Sequence, residues 1–234
     1  MDILKRNLSF QKFVIICKGR TGSSMLTRML DSHSQIKCKG EILKDPDSEP
    51  RDEINNIYSP QYRHVKAVGF KLHYNHPGGA NHDITWDLIK ADSDIKIIHL
   101  HRRNVLRSHV SEIISQKTRV FQLKSEVKRP DISTRKIGLS IDEVVNLSNL
   151  YEHRRSRYNE LFSDHEVLEI FYEDLVDPLS SVQRKITDFL SVDTKKMRAN
   201  TSIMNPESLG DLITNFTEVE EALKSTEMEW MLYS

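Results

Sequence analysis

The chain carries no excess of charge of either sign: 34 Lys and Arg face 34 Asp and Glu over 234 residues. A balance this even excludes a general nucleic-acid binder, which is basic overall, while leaving room for a local basic pocket. Long apolar runs are missing too. None approaches the roughly 18 residues of a membrane span. The opening "MDILKRNLSFQKF" has neither the apolar core nor the cleavage site of a secretory signal. Cysteine is scarce, and Cys17 and Cys38 form no C-x-x-C or zinc spacing. None of the ten histidines stands in an H-E-x-x-H or similar pattern, so no metal site is expected. Cys17 lies in an apolar run and reads as a buried free thiol. The expectation is a soluble, cytoplasmic protein, with residues 1–234 forming a single domain around one substantial core.

Four short apolar runs read as strands: Phe13–Cys17, Ala67–Leu72, Ile95–Leu100 and Glu166–Phe171. Each suits a strand buried on both faces of a parallel sheet. Helical patterns lie between them. Met25, Leu26, Met29 and Leu30 make one stripe, and Val105, Leu106, Val110, Ile113 and Ile114 another. A longer one begins at Ser140, with Glu143 at capping-box spacing. In "DPLSSVQRKITDFL" Asp177 is placed to cap a helix with Pro178 in its first position. Alternating strands and helices predict an α/β fold: a central parallel sheet flanked by helices, of the P-loop nucleotide-binding type, with ligands at the C-terminal strand ends. Lys44–Arg63 reads as a surface loop with a short helix. Gln116–Gly138 carries Lys117, Arg119, Lys124, Lys128, Arg129, Arg135 and Lys136 against Glu126 and Asp131. It reads either as a solvated loop or as a lid over an anion. The C-terminal "EMEWMLYS" reads either as packing on the core, the favoured reading, or as a subunit contact.

The most informative absence is a single lysine. "FVIICKGRTGSSMLTRMLDS" runs from a strand through a glycine-punctuated turn into a helix, which converges loop N–H groups and the helix dipole on an anion. A loop that holds ATP or GTP would follow its last glycine with lysine. Here Gly22 is followed by Ser23 and Ser24. Arg20 supplies a fixed cation with a forked donor face. A second anion site is suggested by "IIHLHRRNVLRSHVSEII", where Arg102 and Arg103 follow a strand and Arg107, Ser108 and Ser111 lie on the next helix. A basic helix start opposes the dipole and so hints at a bound anion.

The two motifs together resemble the sulfotransferases that use 3′-phosphoadenosine 5′-phosphosulfate (PAPS), especially bacterial carbohydrate sulfotransferases of the trehalose and Nod-factor type. The family's 5′-phosphosulfate loop is similar to Arg20-Thr21-Gly22-Ser23-Ser24. Its 3′-phosphate pair of an Arg and a Ser eight or nine positions later is matched by Arg102 or Arg103 with Ser111. Arg102, directly after the strand in "HLHR", is the preferred match. "FYEDLVDPLSSVQRKITDFLSV" and "NPESLGDLITNFTEVEEAL" are similar to further family segments. The resemblance implies PAPS as co-substrate, no metal, and a hydroxyl acceptor, in this subgroup a carbohydrate or glycolipid. It also accounts for the missing lysine, because a sulfuryl group carries less charge than a γ-phosphoryl.

The acceptor hydroxyl must lose a proton as it attacks, so a carboxylate or histidine is needed within reach. Glu41, in a "GE" context like that of the family's base, is implied for this role, with burial expected to raise its pKa. Arg20 is implied as the stabiliser of the leaving group. His73 and His76 read either as acceptor contacts or as loop structure, and His99 and His101 as packing and local hydrogen bonds. Alternation alone leaves open which face Lys71 occupies. Two rivals stand beside this reading: a small-molecule kinase, which lacks its lysine and a magnesium-binding Asp, and a nucleotide-binding protein without chemistry.

Overall fold

The computed structural model describes residues 6–7, 9–123, 128–177, 179, 181–199 and 203–233. Lys124, Glu126 and Pro178, read above, lie outside the described residues, as do 1–5 and 8 of the opening segment and 234 of the closing one. Two compact units form, Met1–His101 with Asn159–Asn200 and Arg102–Tyr158 with Thr201–Ser234. No helix among the described residues is long and apolar enough to cross a membrane.

The first unit opens with β1 (Arg6–Asn7), β2 (Gln11–Cys17), α1 (Ser23–Asp31), β3 (Ile36–Lys39) and α2 (Pro50–Ile57). Then come β4 (Gln61–Tyr62), β5 (Ala67–His73), α3 (Asn81–Lys90) and β6 (Lys96–His101). After the second unit's α4 (Val105–Thr118) and α5 (Ile132–Arg135), and after α6 (Ile141–Leu161), the chain adds β7 (Val167–Phe171), α7 (Tyr172–Val176) and α8 (Val182–Phe189). Five strands make an all-parallel sheet in the order β3-β5-β2-β6-β7. This is the α/β architecture expected from the alternating pattern. β1 and β4 form a separate antiparallel pair.

β2 is the centre, with Phe13 to Cys17 wholly buried. Its odd positions Phe13, Ile15 and Cys17 pack with Leu26, Met29 and Leu30 of α1 and with Ile186 of α8. Full burial of each large apolar side chain contributes on the order of 1.5–3 kcal/mol. Gly69 of β5 lies directly opposite Phe13, where a Cβ would run into the Phe13 carbonyl oxygen and ring. Glycine is required there by close approach of the two backbones.

β3, α3 and α8 depart from expectation in ways the sequence explains. β3, "IKCK", escaped notice because its lysines interrupt the apolar pattern; Ile36 and Cys38 are buried while Lys39 is exposed, as suits an edge strand. α3 was missed because only Thr85, Trp86 and Ile89 of its ten residues are buried. α8 begins at Val182, later than "DPLSSV" suggested, and the Asp177 carboxylate instead accepts the Leu179 N–H at 2.9 Å within a turn. The short helix expected within Lys44–Arg63 is α2, with Pro50 in its first turn and Asp52 and Glu53 favourable to its dipole.

The second unit also contains α9 (Leu209–Leu212) and α10 (Phe216–Leu223). Its core joins Leu106, Val110 and Ile114 of α4 to Val144, Leu212, Val219 and Leu223. Glu143 donates its N–H to Ser140 Oγ at 3.4 Å, the cap read from spacing. Met231 and Leu232 enter this core. Trp230 and Tyr233, expected to pack with them, are exposed.

Gly69→Ala should lower global stability by about 1–3 kcal/mol through overpacking. Chemical denaturation that left the midpoint unchanged would refute the close-packing account of this strand pair.

Candidate active site

In-register pairing sets Cys17, the last residue of β2, opposite His73 of β5 and Leu100 of β6. The loop that follows is a strand–turn–helix cradle of the expected kind. Arg20 and Gly22 both adopt positive φ, 68° and 83°. At Gly22 a side chain is doubly excluded, because a Cβ would also run into the Tyr172 ring. Gly22 O then accepts the first helical bonds, from Met25 at 2.9 Å and Leu26 at 3.1 Å. Thr21 is buried with its hydroxyl turned back onto Lys18 O at 2.8 Å. Its contribution to an anion is thereby narrowed to the backbone. The buried thiol of Cys17 is pushed up to about 11 by its burial, and remains protonated at neutral pH.

Next to this loop lies Glu41, just past β3. The backbone N–H of Lys71 donates to Gly40 O at 3.2 Å, which ties the Glu41 turn to β5. The Lys71 ammonium, with only 4% of its side chain exposed, lies 2.7 Å from Glu41 Oε1 and 3.4 Å from Ser24 Oγ. Sequence alternation left the face of Lys71 open, and the structure turns it to the same side as His73. His73 Nε2 lies 3.5 Å from Ser23 Oγ and 3.8 Å from Glu41 Oε1. Glu41 thus reaches the loop through two intermediaries, Lys71 and His73.

The electrostatics differ from expectation at Glu41. Burial does push its carboxyl up, as anticipated, but hydrogen bonding to Lys71 together with the charges of Lys71, His73 and His76 outweighs that and leaves it below the ordinary carboxylate range. Glu41 is therefore ionised at neutral pH. His73 is brought down to about 4 by burial and by the charges of Lys71, His76 and Arg20, against the pull of Glu41. Its imidazole is neutral at pH 7. His99 and His101 are buried as read: His99 meets Tyr74 Oη at 2.7 Å and Asn159 Oδ1 at 3.0 Å, and the His101 ring packs against those of His99 and Phe171.

In the second unit, Arg102 is half-buried, Arg103 is exposed and Ser111 is buried. Asn104 caps α4 by accepting the Arg107 N–H at 2.7 Å, which offsets the basic helix start. The Arg107 guanidinium donates to the carbonyls of Asn205 and Glu207 at 3.1 and 2.6 Å. Sequence reading missed Asn205, whose amide donates to Ser111 Oγ at 3.3 Å. It is held by Arg135, which donates to Asn205 Oδ1 at 3.2 Å and makes two 2.6 Å bonds to the Glu207 carboxylate. The basic segment is thus partly structural: Arg135 is bound to Glu207, Lys117 donates to Lys136 O and Arg129 to Ile203 O.

Hydrogen bonding from Arg135 holds the Glu207 carboxyl down from 4.5 to about 2. A depressed carboxylate stabilises the fold above its unfolded value and loses that contribution as pH falls toward the folded one. Wild type should therefore lose more thermal stability than Glu207→Gln between pH 5 and pH 2.5 (about the window just named). Parallel melting curves for the two across that range would refute the clamp.

A sequence model of the family described as "Sulfotransferase domain" matches residues 10–230. Nodulation protein H of Rhizobium tropici is 25% identical over 228 residues, covering 89% of this chain and 88% of its own. The crystal structure of a sulfotransferase from Alicyclobacillus acidocaldarius is similar in fold, with a TM-score of 0.50 at 20% identity and 96% of each chain covered. With its cradle that lacks the NTP lysine and its ionised carboxylate beside it, the chain belongs to the sulfotransferase family, enzymes whose sulfuryl donor is PAPS.

Proposed function

We propose that the enzyme transfers a sulfuryl group from PAPS to a hydroxyl of a carbohydrate or glycolipid, releasing adenosine 3′,5′-bisphosphate. The observation that supports this most is the junction of Glu41 to the loop through Lys71, 2.7 Å from the carboxylate and 3.4 Å from Ser24. In this reading Arg20, Thr21, Gly22, Ser23 and Ser24 hold the 5′-phosphosulfate. Thr21 acts through its backbone. Arg102 and Ser111 hold the 3′-phosphate, with Asn205 orienting the serine hydroxyl.

Glu41 takes the acceptor proton while the acceptor oxygen attacks sulfur, and the bond from sulfur to the bridging oxygen breaks. Arg20 meets the charge that develops on that oxygen. Lys71 fixes the Glu41 carboxylate so that reacting atoms need little reorganisation. The carbohydrate class of acceptor rests on the resemblance to bacterial carbohydrate sulfotransferases. A nucleotide-binding protein without turnover is the alternative outcome.

Isothermal titration should find adenosine 3′,5′-bisphosphate bound in preference to ADP. Arg102→Ala should weaken the former by roughly ten- to a hundredfold, the range for one hydrogen bond to a charged group. ADP bound equally or better would overturn the donor assignment. Glu41→Gln should keep bisphosphate affinity while lowering kcat by about 10²–10⁴. An unchanged kcat with a turned-over carbohydrate acceptor would remove Glu41 as base.

A further inference from the structure

Glu41 has two more neighbours than its proposed chemistry uses. β5 ends at His73, and the His76 N–H returns to His73 O at 2.9 Å, closing a tight turn that sets the two imidazoles 4.9 Å apart, centre to centre. His73 Nε2 lies 3.8 Å from one Glu41 oxygen and His76 Nδ1 lies 3.9 Å from the other. One donor atom from each of the three residues falls within 4.8 Å of the others. His76 Nδ1 is buried and has no hydrogen-bond partner among the described residues. A buried, unmatched imidazole nitrogen is costly unless something else meets it.

We infer that Glu41, His73 and His76 form a site for a divalent transition metal of the zinc, cobalt or nickel class, whose occupation withdraws the Glu41 carboxylate from proton transfer. Two imidazoles and one carboxylate are the donor set such ions prefer, whereas magnesium and calcium select oxygen. Tetrahedral bonds of about 2.0–2.2 Å set donors about 3.4 Å apart, so side-chain rotation must close the 3.8 and 3.9 Å contacts by about half an ångström, and any pair at the full 4.8 Å by more than one. The Glu41 oxygen that faces His76 is not the one nearest Lys71, so the carboxylate can bridge ammonium and metal. Lys71 and Arg20 near His73, and Lys44 near His76, oppose a cation, and weaken the site toward reversible binding.

A second group of the same residue types, His99, His101 and Glu169, is differently placed. Both ring nitrogens of its His99 are already engaged by Tyr74 and Asn159. No linear spacing announces the Glu41 site, since its carboxylate and imidazoles come from separate segments brought together by the pairing of β3 with β5.

Cobalt(II) titrated into the chelator-treated full chain is the test, because its visible absorption reports ligation without any turnover. Saturable bands are expected, displaced by zinc but not by magnesium. They should weaken at least about tenfold in both His76→Ala and Glu41→Gln, with circular dichroism unchanged. Absent saturable bands, or bands of equal strength in both variants, would overturn the site. The inhibitory consequence alone rests on Glu41 as base. Zinc should suppress sulfuryl transfer in proportion to occupancy, and full turnover at full occupancy would overturn that consequence while the spectral result stood.

Discussion

Level strand ends are the constraint from which the geometry of the candidate site follows. β5, β2 and β6 run parallel and in register, so Cys17 stands opposite both His73 and Leu100. Gly69 permits the close approach of β5 to β2 at Phe13. The candidate groups of the first unit gather at this edge: the Arg20–Ser24 loop after β2, Glu41 just past β3, and Lys71, His73 and the His76 turn from β5. A one-residue slip of β5 would turn Lys71 and His73 to the opposite face together.

Burial of an ammonium sets the electrostatics at that edge. Lys71 is almost wholly removed from water, and such a charge must be paired. Glu41 supplies the pair, and its carboxyl falls below the ordinary range although its own burial pushes the other way. The same positive field, added to burial, keeps His73 neutral. At neutral pH the site thus holds an ionised carboxylate beside a neutral imidazole.

Much of this was legible in the sequence, and the reason lies in local chemistry. The strand–turn–helix around Gly22 announces itself because positive φ, short polar side chains and an apolar run sit next to one another. The strand end before Arg102 and the helix that carries Ser111 were legible because one follows directly on the other. Lys71 was not, because the face of a fully buried strand is set by its neighbours and not by its own alternation. Asn205 was hidden for a related cause: it reaches Ser111 from 94 residues away, through a clamp of Arg135 and Glu207 that no local pattern records. The lowered carboxyl of Glu41 was misjudged because burial can be read from a sequence while a partner's distance cannot.

The ring of Tyr172 against Gly22 has a consequence beyond the loop's shape. Tyr172 opens the "YEDL" stretch at the far end of the first unit's sequence, yet its bulk fixes how small residue 22 must be. The glycine is required twice, once by its torsion and once by that ring. Trimming the ring would lift only the second requirement. The two positions are therefore unequal heirs: the tyrosine can drift while the glycine stays, but the glycine cannot drift first.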